Sequence, residues 1–266
     1  MSHFFAEHDE PFPTARTTFA IRFHFLGRLD WETATALQRR LAYEAGDCDD
    51  GRIVVLVCEH APLISVGRRG SRAHIRLTNA ELRSRRLEIR WVGRGGGCIL
   101  HMPGQLAVYP IIPLAWHGWT VGDYLRRFRA ALLATMQELK IQTQSVDDSL
   151  GVWGRTGALA VFGAAVCRGI TYHGTFINVN PRMTAYRFVD VIERVAGETS
   201  ARTTMGSLLA ERRRAITMPN IRALLVPRLA NAFGTERYSL LTGHPLLRAV
   251  REQNTSKPSR PRYRAS

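Results

Sequence analysis

Lysine is almost missing from this sequence: it occurs only at Lys140 and Lys257, so 35 of the 37 basic residues are arginine. Genomic compositional bias produces such a skew without selection for function. Cysteine is also scarce. Cys48, Cys58, Cys98 and Cys167 stand alone, with no Cys-x-x-Cys spacing and none beyond position 167. That pattern argues against a zinc site and against a disulfide framework, and the four read as reduced thiols. No apolar run approaches the roughly 20 residues that a membrane span requires. The N-terminal stretch has neither a basic nor an apolar signal region, so the expected compartment is the cytoplasm. Two catalytic motifs are absent as well, the Gly-x-Ser-x-Gly elbow and the Gly-Lys-Ser/Thr phosphate loop. No metal and no cofactor is expected.

What is present is enough for one sizeable core, since 45% of residues are hydrophobic and 22% charged. Residues 18–235 are expected to form a single domain. Residues 1–17 read as disordered, and 236–266 as a basic extension that is mostly disordered after residue 250. Helical spacing marks Trp31–Tyr43, Val121–Leu139 with Thr120 as cap, Thr203–Arg213 and Met218–Phe233. Strands are expected at Ile53–Cys58, Leu87–Val92, Gln105–Ile112, Gly151–Trp153, Ala158–Val166 and Thr175–Val179. The fold class is therefore α/β (α+β), a mixed sheet flanked by helices. The net charge is +15, and residues 68–94 hold nine arginines against Glu81 and Glu88. That excess would attract an acidic carrier protein or nucleic acid. Nucleic acid is the weaker candidate, because no binding motif with interleaved aromatics occurs.

The most informative stretch runs from Arg94 through Gly95, Gly96, Gly97, Cys98, Ile99, Leu100 and His101 to Met102-Pro103-Gly104-Gln105-Leu106. Consecutive glycines let backbone N–H groups approach a ligand closely, and an adjacent arginine can hold a carbonyl or phosphate in fixed geometry. Pro103-Gly104 forces a turn, which is expected to fix His101 at the mouth of that cradle. Taken alone, the same residues equally describe a flexible turn. The glycines do not form a dinucleotide fingerprint, because apolar strand-like sequence follows them rather than a helix.

Three further segments lie in order around this one: Glu59-His60-Ala61-Pro62 with Gly67-Arg68-Arg69-Gly70; Gly151-Val152-Trp153 leading to Gly163; and Arg168 through His173-Gly174 to Asn178. Together the four resemble the lipoyl/octanoyl transferases, a branch of the biotin and lipoate protein ligase superfamily. The resemblance implies a single ligase-like catalytic domain that moves an octanoyl group from acyl carrier protein to a lysine of a lipoyl-domain protein. It implies that His173, Gly174, Thr175 and Phe176 close the other side of an acyl tunnel, with Val161, Phe162 and Gly163 facing it. Core strand and tunnel lining look alike in sequence, so Val161 and Phe162 stay open between the two. The loop Gly95–His101 also resembles that of the lipoate ligases, but Gln105-Leu106 with Tyr109-Pro110 favours the transferase branch.

The resemblance has a gap where the chemistry should be. The family's lysine position falls on Ala158, and its nucleophilic cysteine falls near Ile192, beyond the last cysteine of this chain. Attack on a thioester needs a thiolate, and an ordinary thiol is mostly protonated near neutrality. Ile99 and Leu100 also replace the family's Thr and Tyr. Cys98 and His101 are the remaining candidates for catalytic residues, Cys98 either as a substitute nucleophile or as a small buried hydrophobe. Two functions follow: acyl transfer, with or without a covalent enzyme, and an inactive octanoyl- or lipoyl-binding homologue that escorts or regulates. The tail from Arg251 has too little apolar area to offset its ordering. Limited proteolysis should therefore cut there first and leave the thermal midpoint unchanged; a protected tail would contradict this.

Overall fold

The computed structural model describes residues 19–48, 50–144, 151–192, 202–212 and 214–249. The expected disordered ends, residues 1–17 and the tail after 250, lie outside the described residues. A seven-stranded mixed sheet organises the rest. Its strands in chain order are β1 (Ile21–Arg28), β2 (Ile53–Glu59), β6 (Gln105–Ile111), β7 (Val152–Gly154), β8 (Gly157–Phe162), β11 (Thr175–Asn178) and β14 (Tyr238–Thr242). They stand in the order β14-β1-β2-β6-β11-β8-β7. A second sheet holds β3 (Leu63–Val66), β4 (Glu88–Trp91) and β5 (Cys98–His101), with β3 central. Two small ribbons complete the strands: β9 (Ala165–Cys167) with β10 (Ile170–Tyr172), and β12 (Val191–Ile192) with β13 (Arg202–Thr203).

The central strands are apolar on both faces because both faces are covered. On one face Phe23, Ile53, Val55, Val57, Leu106, Val108 and Ile177 form the main core with helices α3 (Val121–Glu138) and α5 (Met218–Ala232). On the other, Leu56, Cys58, Ala107, Tyr109 and Phe176 pack with α1 (Trp31–Asp47) and the three-stranded sheet. Alternation along each strand thus sorts neighbouring residues into different environments. The short helices α2 (Asn79–Ser84) and α4 (Leu208–Arg212) lie at the periphery.

Three expectations need correction. Residues 203–213 are not one helix: the backbone first pairs with β8, Ala158 N–H donating to Thr204 O at 2.8 Å and Gly206 N–H to Ala158 O at 2.9 Å, so only Leu208–Arg212 coil. Ala158–Val166 is not one strand either. Gly163 N–H donates to Gly174 O at 2.7 Å, the chain turns, and Ala165–Cys167 leaves for its own ribbon, with Cys167 exposed rather than in the core. The sheet also continues past residue 235, because Tyr238–Thr242 pairs in parallel with β1.

Pro110 sits in a central strand although proline cannot donate to a ladder. Its ring faces Gly174, where β11 has ended, so no donor is missed. A Cβ on Gly174 would meet Val108 O at 2.1 Å, which requires glycine there. At the head of α3 the Thr120 side chain caps Asp123 N–H and Asp123 answers, a reciprocal capping box. Thr120→Ala should cost about 1 kcal/mol, seen as a thermal midpoint lower by about 2–4 °C; an unchanged midpoint would show that the cap contributes nothing.

Candidate functional site

Arg94 is fully buried, yet no carboxylate pairs with it among the described residues. Its guanidinium donates to Ser65 O at 2.9 Å, to Ser65 Oγ at 2.7 Å and to Gly95 O at 2.8 Å, and Nε has no partner. Two glycines make room for it. A Cβ on Gly163 would lie 2.7 Å from Arg94 Cδ, and one on Gly67 2.8 Å from its terminal nitrogen. Burial pulls the guanidinium down to about 10, so it still carries its charge at neutral pH.

The glycine loop itself is tied to the protein rather than open. Gly97 O and Gly96 O accept from Gly67 N–H and Arg69 N–H, and Gly95 N–H donates to Ala164 O at 2.9 Å. The expectation that Gly95 presents its N–H to a ligand is therefore corrected. Arg94, held by these bonds, is the part of the loop that reaches inward.

His101 lies inside rather than at the mouth, with no exposed surface. Its Nδ1 sits 3.0 Å from Gln105 Oε1 and its Nε2 2.7 Å from Ser65 Oγ. Because Arg94 donates to that same Oγ, the Ser65 hydroxyl is left to donate to Nε2, and Nδ1–H donates to Gln105. Gln105 Nε2 in turn donates to Asn178 Oδ1 and Tyr186 Oη, both at 3.0 Å. One buried chain of hydrogen bonds thus fixes Arg94, Ser65, His101 and Gln105 together. Burial holds His101 well below the ordinary histidine range, helped by His60 and Arg94.

Across the site stands His173, in left-handed backbone with φ 55°. Gln38 Oε1 of α1 holds its N–H at 2.7 Å, and its Nδ1 is buried without a partner. Such a conformation in a non-glycine residue is strained and clusters at functional positions. Trp31, from the first turn of α1, joins the two sides. Its ring stacks on His173 at 6.1 Å and touches His101 at 4.8 Å and His60 at 5.1 Å. His60 accepts from Tyr109 Oη at 2.6 Å, and the Cys58 sulfur is 3.6 Å away. Burial lowers His60 to about 4 and His173 to about 3. Sequence spacing marked Trp31 only as a helical core residue and left Ser65, Gln38 and Tyr186 unmarked; the contacts that assign them connect distant segments.

Other candidates fall elsewhere. Cys98 and Leu100 alternate with Ile99 and His101 along β5, so the Cys98 side chain leaves the opposite face and reaches Ser71 O at 3.5 Å. Burial raises its thiol despite Arg94. Phe162 packs on Phe128 in the main core, and Thr175 bonds Val161 O from that same side of β11. Val161 and Phe176 face the site's side, as does Ala158. Cys58 lies 3.6 Å from His60 on the site's side of the sheet, but burial pushes its thiol far up and holds it protonated.

Comparison with known proteins places these residues in a family context. The family model described as lipoyl protein ligase A/B catalytic domain matches residues 30–230. An octanoyltransferase of Chloroflexus aggregans is 34% identical over 169 residues, 62% of this chain and 76% of that protein. An octanoyltransferase of Roseiflexus is 30% identical over 224 residues, 82% of this chain and 90% of that protein. Among solved structures, lipoate-protein ligase A bound with ATP superposes with a TM-score of 0.64 at 12% identity, covering 90% of this chain and 95% of that one. An archaeal bipartite lipoate protein ligase from Thermoplasma acidophilum, described with its E2 lipoyl domain, gives 0.62 at 12% identity over 90% and 93%. These two share the fold. No described helix is long and apolar enough to cross a membrane.

The neutral histidines set an acid limit. Folded His60 and His173 titrate at about 4 and about 3, below the ordinary 6.5, so the unfolded chain binds protons first. Their contribution is constant above pH 6.5 and is lost as pH falls from 6.5 towards 3. The urea midpoint should decline across that window, and His60→Gln should flatten the slope; a flat wild-type profile would refute the assignment.

Proposed function

Because the chain belongs to the lipoyl protein ligase A/B catalytic domain family, we propose that it transfers an octanoyl group from a carrier-protein thioester to a lysine of a lipoyl-domain protein, without an acyl-enzyme. The single observation that carries this reading is Arg94: a buried guanidinium with no carboxylate partner among the described residues, next to neutral histidines, favours a ligand carbonyl that gains negative charge during reaction. The lack of a site-facing activated cysteine supports the direct route. Cys98 faces away, and Cys58 is held as a thiol.

In this step the acceptor amine attacks the thioester carbonyl carbon. The C–N bond forms, the C–S bond breaks, and the amine's proton leaves with the thiol. Arg94 stabilises the carbonyl oxygen, and the sealed surroundings keep water away. Orientation of two reactants in one site supplies about 7 kcal/mol or more of such a barrier. A second reading is favoured by Ala158, which stands on the site's side where the family has a lysine: a binder that holds the acyl group without turnover.

Incubation with octanoyl-loaded carrier and a lipoyl domain, followed by intact mass of all three proteins, separates the readings. The expected result is one octanoyl group on the lipoyl domain, none on this chain, and unchanged turnover in Cys98→Ser. Arg94→Met should lower the rate by roughly 10²–10³. An octanoyl adduct on this chain that hydroxylamine removes would overturn the direct route, and binding without acylation of the lipoyl domain would establish the binder.

A further inference from the structure

Two exposed arginines are tied to residues of the site, and neither forms an ion pair among the described residues. Arg68 follows β3. Its backbone N–H donates to Arg94 O at 3.0 Å, and its guanidinium donates to Gly93 O at 3.1 Å on the outer side of the loop. Tyr172 stands on the same spot: its hydroxyl is 3.9 Å from where a Gly93 Cβ would be, and its ring is 5.0 Å from His173. Arg39 follows Gln38, the residue that holds His173, and its charge helps to depress that histidine. Three other arginines of this region do have carboxylate partners: Arg40 pairs with Glu44, Arg76 with Asp190, and Arg90 with Glu32 and Glu88.

We propose that Arg68 and Arg39 form a carboxylate clamp at the rim of the Arg94 site, which selects an acceptor lysine flanked by acidic residues. The inference rests on the transfer reading for its substrate but not for its test. Length decides which partner the clamp meets. Arg68 is bonded to the backbone of Arg94 and to Gly93 O, so the rim adjoins the loop that carries the buried guanidinium. A lysine spans about 6 Å from Cα to Nζ, which leaves its chain neighbours at the rim when its amine is at the carbonyl. A carrier's phosphopantetheine arm puts about a dozen bonds between sulfur and phosphate, so its anion passes well beyond. Arginine's planar fork suits a carboxylate in two-point contact. Selection by charge at an exposed rim acts through orientation and encounter rate, and it weakens with salt.

The test is the dissociation constant of a lipoyl domain at low salt, which needs no turnover. Three domains serve as probes: one with acidic residues beside the target lysine, one with those acids changed to amides, and one with them changed to lysine. Wild type is expected to bind the acidic domain about tenfold more tightly than the amide domain, below the roughly 25-fold product of two exposed pairs at up to about fivefold each. Arg68→Glu with Arg39→Glu should lose that preference and favour the lysine-bearing domain, with affinity for the octanoyl carrier unchanged. Equal binding of the acidic and amide domains would overturn the clamp, as would a loss confined to the carrier. Absence of acyl transfer with the charge preference intact would sink the transfer reading alone.

Discussion

Everything around the site depends on the burial of one uncompensated charge. Arg94 is sealed from solvent with no carboxylate partner among the described residues, a situation that costs several kcal/mol unless hydrogen bonds and geometry offset it. The offset is visible residue by residue. Ser65 gives both its carbonyl and its hydroxyl, Gly95 gives its carbonyl, and Gly163 and Gly67 surrender side chains so that the guanidinium can lie between them. Each histidine nearby must then stay neutral, since a second positive charge in the same low-dielectric space would be repelled. The Arg94 charge helps to lower both His101 and His173.

The second constraint is geometric. The strands are buried on both faces, so parity along the chain decides chemistry. Val161 and Phe162 are neighbours in sequence, but one faces the site's side and the other packs on Phe128 in the main core. Cys98 and His101 are three residues apart in a strand, so they too leave opposite faces. Moving one strand by a single residue would exchange these sets. The long-range bonds that prevent such slippage are those of the polar chain, from Ser65 on β3 through His101 to Gln105 on β6 and Asn178 on β11.

Much of this was legible in the sequence, and the parts that were not share a cause. The periods of 2 and 3.6 located α1, α3, α5, β2, β4 and β6, because those segments bury a periodic apolar face. The Thr120 cap was legible since its partner is three residues away. The four motifs placed Arg94, His60, His101 and His173 in one protein; the fold brings the three histidines round Trp31 and ties Arg94 to His101 through Ser65. Periodicity failed at residues 203–207, where apolar spacing gave a helix but Ala158 takes the backbone into pairing. It also failed at Gly163, whose turn is set by Gly174 and Arg94. Ser65 and Gln38 escaped notice because a partner 36 or 135 positions away leaves no local mark. His101 was placed at the mouth because a turn after a loop is usually outside. Here the turn at Gly104 is tucked against Asn180 and bonded to Glu59, which draws β5 inward.

The neutral histidines bear on what a direct transfer would require. A general base that titrates near 4 or below abstracts protons poorly at neutral pH, and His101 has both nitrogens engaged, so the site supplies little conventional base catalysis. The acceptor amine therefore has to arrive unprotonated, although a free lysine is an ammonium with a pKa of about 10.4. The interior itself favours that change. Desolvation and the Arg94 charge both disfavour an ammonium, which is the way buried lysines become nucleophiles. The same guanidinium that polarises the carbonyl would thus also lower the amine's pKa. An acidic flank held at the rim would keep the lysine close without neutralising Arg94 below. On the direct route proposed above, the substrate's own amine attacks without an acyl-enzyme, and the Arg94 guanidinium supplies the polarising charge.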